Sequence, residues 1–378
     1  MNRVLALVYT IACTIGVAYG AHAPLIPVFA KAELGASYFD IGIIGMANYV
    51  PYMFAPAFVG LLLDRFNKGY ILSAGIATAT LSVFLLAFTN NVLEVMLVRA
   101  LTGIAHAFIW PPAEAVVATA TSPERRVQAI SRFTMAWVAG YMAGPLIGAG
   151  LFQIFGFRIL FEYSSAMMIV TLAAGLMLIK HSKGMRQEKY SIADVFTIIK
   201  INPRISMLVM YYSAAFGIVL TIFPAYLKDN TINEFFIGIL FFIFGLSRLL
   251  TLPFTHKFAT HERSSIFIAT QAIAFAMLVA YSLTSIGFFS LSLVLFGFAF
   301  SLYFPITLGM ITRNAPGKMV GTSVGAYETV FGVGWAVGPI VSGIAADAFG
   351  SSIPYISMFV IGLILPMLIL AKKSVKQL

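Results

Sequence analysis

Long apolar runs separated by short polar turns fill the chain from end to end. The runs fall near residues 4–28, 38–63, 69–89, 92–118, 127–155, 159–180, 205–227, 235–256, 264–283, 286–311, 319–346 and 352–371. An α-helix needs roughly 20 apolar residues to cross a bilayer, so the pattern predicts an all-α membrane protein with twelve transmembrane helices. One long polar stretch, from Lys180 to Arg204, breaks the rhythm. It divides the chain into a six-helix bundle over 1–180, a linker over 181–204 and a second six-helix bundle over 205–378. Within the linker, Ile192 to Ile201 is amphipathic and predicts a helix lying along the membrane surface.

The two halves echo one another. Gly140-Tyr141-Met142-Ala143-Gly144-Pro145 in the first half returns as Gly334-Trp335-Ala336-Val337-Gly338-Pro339 in the second. Phe39-Asp40-Ile41-Gly42 at the start of the second run is matched by Phe235-Phe236-Ile237-Gly238 at the start of the eighth. Both pairs are separated by about half the chain, which predicts two pseudo-symmetric bundles built from one repeated unit. Gly140, Gly144 and Gly148 share one helix face, and small residues at that spacing let helices approach closely in lipid. Pro145 and Pro339 each remove a backbone donor and can kink their helices.

Composition agrees with a lipid solvent. Hydrophobic residues make up 60% of the chain and charged residues 10%, where a soluble domain carries about 25% charged residues. The net charge of +10 could suggest a nucleic-acid partner, but its distribution argues against one. Basic residues gather in alternate short loops, at Arg65 and Lys68, at Arg125 and Arg126, and in the polar stretch after Lys180. By the positive-inside rule this predicts both termini in the cytoplasm. Arg3 precedes an apolar run with no cleavage site, which reads as a first membrane helix. The single cysteine, Cys13, excludes an internal disulfide framework. No nucleotide loop, paired cysteines or two-histidine motif is present. The sequence therefore predicts no enzyme, cofactor or metal site, and any pumping would draw on an ion gradient.

Charged groups inside apolar runs are the candidates for chemistry, because such groups are costly in lipid. At about 100° per residue, His106 and Trp110 lie within about 20° of Arg99 on one helix face, with Glu114 within about 60°. Arg248 stands about 13 residues into its run, or ~20 Å deep at the helical rise. Glu328 lies well inside the eleventh run. At the end of the second run, Gly60-Leu61-Leu62-Leu63-Asp64-Arg65-Phe66-Asn67-Lys68 puts an acid and bases into a short turn. That acid can cap a neighbouring helix N-terminus.

The last segment resembles the signature loop of the major facilitator superfamily, with Asn67 in place of the usual glycine and Gly69 in place of a further base. Arg99-Ala100-Leu101-Thr102-Gly103 looks like the arginine motif of the same family, with Thr102 where glutamine is frequent. Ser122-Pro123-Glu124-Arg125-Arg126 resembles its loop after the fourth span, and the expected role is an ionic latch with Asp64. Gly140 to Gly150 looks like its antiporter motif, a form associated with proton-driven efflux. The resemblance implies alternating access, in which two bundles rock about a central site.

The expectation is a monomeric cell-membrane transporter whose partners are the bilayer, a small-molecule substrate and protons, and which exports a small organic or amphipathic compound. Arg99 would organise the cavity. Glu328 would carry the proton, with Glu114 or His106 as lesser candidates. A rival expectation is uptake or exchange of an organic anion, since Arg99 and Arg248 suit negative charge and the first run has no carboxylate. A rival of another class is a non-transporting receptor or lipid-moving scaffold.

Overall fold

A computed structural model describes residues 3–36, 38–180, 191–223, 226–227, 230–232, 234–313 and 319–370. The most basic part of the expected linker, 181–190, and the C-terminal lysines lie outside the described residues. The helices are α1 (Arg3–His22), α2 (Ile26–Leu34), α3 (Tyr38–Arg65), α4 (Lys68–Leu86), α5 (Val92–Ala107), α6 (Trp110–Thr119), α7 (Arg126–Ile179), α8 (Ile192–Ile201), α9 (Pro203–Thr221), α10 (Glu234–Thr251), α11 (Thr255–Phe258), α12 (Glu262–Ser282), α13 (Ile286–Arg313), α14 (Val320–Phe349) and α15 (Ile353–Leu370). No strand occurs among the described residues. Large apolar side chains such as Phe58, Leu97, Val170, Leu250 and Ile344 stand on the outside, as a lipid-facing surface requires.

Prolines cut two of the expected spans. The first run breaks at Ala23–Leu25, where Pro24 opens a short 3-10 turn. The fourth breaks between α5 and α6, because Pro111 and Pro112 have no N–H to continue the α5 ladder. Both prolines sit in the first turn of α6, where amide donors would have no helical partner anyway. The fifth and sixth runs show the opposite behaviour. They form one helical segment of 54 residues, interrupted at Gly156 (φ 78°, ψ −176°), a backbone region that only glycine occupies readily.

Among the described residues, nine stretches are long and apolar enough to cross a membrane. One of these, Ile239–Ser282, has 44 residues and is long enough for two crossings. Ile353–Pro366 is apolar but shorter.

The chain forms two compact units. Unit 1 comprises residues 1–198 and 315–329, and unit 2 comprises 199–314 and 330–378. The sequence division had placed 315–329 wholly with the second bundle. Its first turns join unit 1 because Gly60 and Gly325 let α3 and the start of α14 meet backbone to backbone. A Cβ at Gly325 would stand 2.6 Å from the Cα of Gly60 and from the Pro56 carbonyl.

Within unit 1, α7 lies on α1 through Gly140, Gly144 and Gly148. A methyl at any of the three would run into the backbone of Cys13, Gly20 or Ala21. A separate apolar cluster joins Ile26, Phe29, Ile44, Val95, Phe157 and Phe161. Within unit 2, Gly334 and Gly338 bring α14 onto α9, and a Cβ at Gly338 would lie 2.7 Å from Ala214 Cα. Gly217 of α9 receives the Pro339 ring in return. Helix α8 buries Val195 and Ile198 and leaves Phe196 and Ile201 exposed.

Candidate functional site

Unit 1 buries a continuous set of polar and aromatic side chains. It starts at α5, whose length places Arg99 and His106 on the same face two turns apart. Tyr19 and His22, one turn apart on α1, meet that face. The Tyr19 ring lies 5.0 Å from His22 and 4.7 Å from His106, between ring centroids. Arg99 stands beside Tyr19 and within electrostatic reach of Tyr49, Tyr141, His22 and His106. His22 Nδ1 is 2.7 Å from the Ala18 carbonyl oxygen, which fixes it as the protonated nitrogen.

The set continues through His106 to Tyr52 on α3, 6.4 Å between ring centroids. The Tyr52 hydroxyl donates to Glu328 Oε2 in a short hydrogen bond. The Glu328 carboxyl lies against that of Glu114, the fifth residue of α6. Both acids are buried, at 3% exposure for Glu114 and 2% for Glu328, and their remaining oxygens, Glu114 Oε2 and Glu328 Oε1, receive no donor. An aromatic wall borders the set, with Trp110 6.4 Å from His106, Trp137 5.7 Å from Trp110 and Tyr141 stacked at 5.2 Å on Trp137.

The structure thus brings Arg99, His106, Glu114 and Glu328 into one unit, together with His22. The proline break between α5 and α6 falls between His106 and Glu114. Arg248 lies in unit 2, over the rings of Phe300 at 4.7 Å and Phe244 at 5.6 Å. Tyr19, Tyr49 and Tyr52 escaped the sequence reading. A neutral tyrosine in an apolar run gives no charge signal, although Tyr19 stands three residues before His22 on the same face.

The second polar centre is Asp64. Its two oxygens accept from the backbone N–H groups of Gly321, at 2.8 Å, and Thr322, at 2.6 Å, and from the Thr322 hydroxyl. It therefore caps the start of α14, whose unpaired amides and dipole favour an anion. Lys68 is buried next to it. In the turn after α3 Arg65 is exposed; in the 122–126 segment Arg125 is exposed and Arg126 Nε donates to the Ala118 carbonyl at 3.0 Å. Glu124, in the same turn, is held below the usual carboxylate range by its own backbone amide and the Ser122 hydroxyl. Asn67, the departure from the family loop, accepts from Gly69 N at 2.8 Å as the cap of α4. Its Nδ2 donates to the Ile179 carbonyl at 3.1 Å, tying this turn to the end of α7. Arg158 reaches the Ala87 carbonyl at 2.8 Å and Glu33 at 3.8 Å.

Comparison with known proteins follows the same lines. Residues 8–259 and 205–377 match the profile of the Major Facilitator Superfamily. The chain is 23% identical over 358 residues to the quinolone resistance protein NorA of Staphylococcus aureus (strain MRSA252), covering 92% of this chain and 91% of that protein. It is 23% identical over 353 residues to the multidrug resistance protein MdtG of Proteus mirabilis (strain HI4320), covering 89% and 87%. In fold it is similar to the crystal structure of the human organic anion transporter MFSD10 (TETRAN), with a TM-score of 0.79 at 15% identity, covering 97% of this chain and 99% of that one.

Proposed function

Because the chain belongs to the Major Facilitator Superfamily, we propose that it exports a small organic or amphipathic compound in exchange for protons. It is a transporter and a multi-pass integral membrane protein. In the proposal it works as a monomer by alternating access, with twelve crossings in two bundles and both termini in the cytoplasm. The clustering of basic residues in alternate loops supports that orientation. The names of the relatives, which speak of quinolone and multidrug resistance, support export.

The observation that carries the coupling ion is the carboxyl pair of Glu114 and Glu328. Two ionised carboxylates are acceptors only, and each here has an oxygen without a donor. A single proton between them supplies the donor that both lack, while Tyr52 supplies another to Glu328. Groups so coupled take up and release protons as a pair. The pair bridges α6 and the first turns of α14, so separating the two acids removes the shared hydrogen bond. Proton occupancy and helix position are thereby linked. Arg99 organises the adjoining cavity, and Asp64, by capping α14, holds that helix start in place.

The test is a proteoliposome carrying an internal pH indicator and the purified protein, to which a fluoroquinolone or an amphipathic dye is added. The wild-type protein is expected to move protons against substrate in a fixed ratio. Glu328→Gln keeps size and hydrogen-bonding capacity but cannot release the proton, so proton-coupled flux is expected to fall at least about tenfold, the scale of losing one tuned acid–base group. Undiminished coupled flux in that variant would remove Glu328 from the pathway.

A further inference from the structure

We infer that unit 1 binds the carboxylate of an aromatic or amphipathic organic anion, using Arg99 together with Tyr19, His22 and His106. The inference rests on the export reading and deepens it by naming the substrate class.

Three buried polar atoms here have no protein partner, Arg99 Nη1, His22 Nε2 and His106 Nε2, and the Tyr19 hydroxyl faces the Arg99 guanidinium. Their side chains touch or adjoin one another, so the four belong to a single site. Arg99 is the cation of the group, and a guanidinium does not lose its proton in a protein. Among the described residues its charge is not met by an acid, since the ion pairs are Arg158 with Glu33 and Arg313 with Glu262. The buried carboxylates of unit 1 are engaged elsewhere, Asp64 at the start of α14 and Glu114 and Glu328 with each other. Polar atoms left unpaired away from water are costly, a guanidinium N–H above all. A ligand that brings the counter-charge removes that cost.

The geometry narrows the ligand. A guanidinium fork fits a planar carboxylate with two parallel hydrogen bonds. The Tyr19 hydroxyl can add a third donor. His22 and His106 flank the Tyr19 ring. One arginine suits a single negative charge better than a doubly charged phosphate. Beyond His106, the faces of Trp110, Trp137 and Tyr141 offer apolar, aromatic surface for the body of the molecule. A cationic compound would meet Arg99 with like charge.

The experiment is equilibrium binding to the full-length protein in lipid nanodiscs, by calorimetry and by the fluorescence of the nearby tryptophans. The probes are 4-phenylbutyrate, its neutral amide and the corresponding amine. We expect the acid to bind at least about tenfold tighter than either analogue, the scale of a charge-assisted hydrogen bond. Arg99→Gln should weaken the acid by about 10- to 100-fold and leave the amide unchanged, with Arg99→Lys in between. Equal affinity for acid and amide, preference for the amine, no binding of the acid up to about 10 mM, or displacement of the acid by chloride at equal concentration would each overturn the inference. Should Arg99→Gln fail to fold, the three probes on the wild-type protein decide the matter. Binding needs no gradient, so loss of carboxylate preference with intact proton-coupled flux defeats this inference alone. Flux that ignores protons defeats the export reading alone.

Discussion

In unit 1, Gly140, Gly144 and Gly148 bring α7 onto α1, and in unit 2, Gly334 and Gly338 bring α14 onto α9. The device is the same, yet what each unit buries beside it differs. Unit 1 buries three acids, Asp64, Glu114 and Glu328, with Lys68 and two histidines, beside a half-buried arginine, and leaves several polar atoms without partners. Unit 2 buries Arg248 against Phe244 and Phe300, in a set of rings that includes Tyr212, Tyr303, Phe216 and Trp335. Close helix packing recurs in both units, while the buried acids gather in unit 1, where Glu114 of the first half of the chain meets Glu328 of the second. Packing by glycine depends on a small residue at a fixed spacing and tolerates change elsewhere. Acid–base chemistry depends on particular groups meeting, and here each half of the chain supplies one of the two acids.

The comparison breaks first at the glycines if it is wrong. Gly148→Leu and Gly338→Leu each drive a side chain into the backbone of a neighbouring helix, Ala21 in one case and Ala214 in the other. Overpacking of this kind costs about 3 kcal/mol or more where backbone cannot yield. Both variants are expected to lose their thermal unfolding transition in detergent, or to lower its midpoint sharply. A Gly338→Leu variant as stable as the wild-type protein would show the packing device to be active in the first unit alone.

Arg248→Met comes next. Methionine keeps the contact of the stem with the rings and removes the cation–π interaction, which accounts for about 0.5–2 kcal/mol of the loss. Thermal unfolding in detergent measures it. A larger loss would mean that Arg248 has a charge partner whose removal matters, and the contrast between the units would narrow.

Much of this was legible in the chain. Apolar runs of membrane length, the repeated glycine–proline segments at 140–145 and 334–339 and the turn around Asp64 are local patterns, written in consecutive residues. The charged members of the site could be found because a charge in an apolar run has few structural reasons to be there. What escaped was set by three-dimensional meeting. Tyr52 joins Glu328 across 276 residues of chain, and nothing beside Tyr52 in sequence marks it as a donor. The break between α5 and α6 was readable in principle from Pro111 and Pro112, but a run that is apolar throughout hides a proline interruption when hydropathy is the guide. The division of α14 between the units depends on Gly60 and Gly325 meeting, which single-residue patterns do not encode.

The finest contrast lies in how each unit ties down a turn between helices. In unit 1, Asn67 caps α4 through Gly69 and holds the Ile179 carbonyl. In unit 2, Arg313 at the end of α13 makes two parallel hydrogen bonds of 2.8 Å to Glu262 at the start of α12. The first tie is neutral and the second ionic, so salt separates them. Asn67→Gly restores the residue usual in the family loop; glycine caps nearly as well, at a few tenths of a kcal/mol, and the lost bond to Ile179 adds about 0.5–1.5 kcal/mol. That small loss should not change between low and high salt. Glu262→Gln should cost about 0.2–1 kcal/mol, the range for a partly exposed ion pair, and the cost should shrink as salt screens the charges. Unfolding midpoints of the two variants and the wild-type protein, taken at low and high sodium chloride, compare them directly. A salt-dependent loss in Asn67→Gly would mean that the turn is held by Asp64 and Lys68 as an ionic group, and the two units would then secure these turns by the same physics.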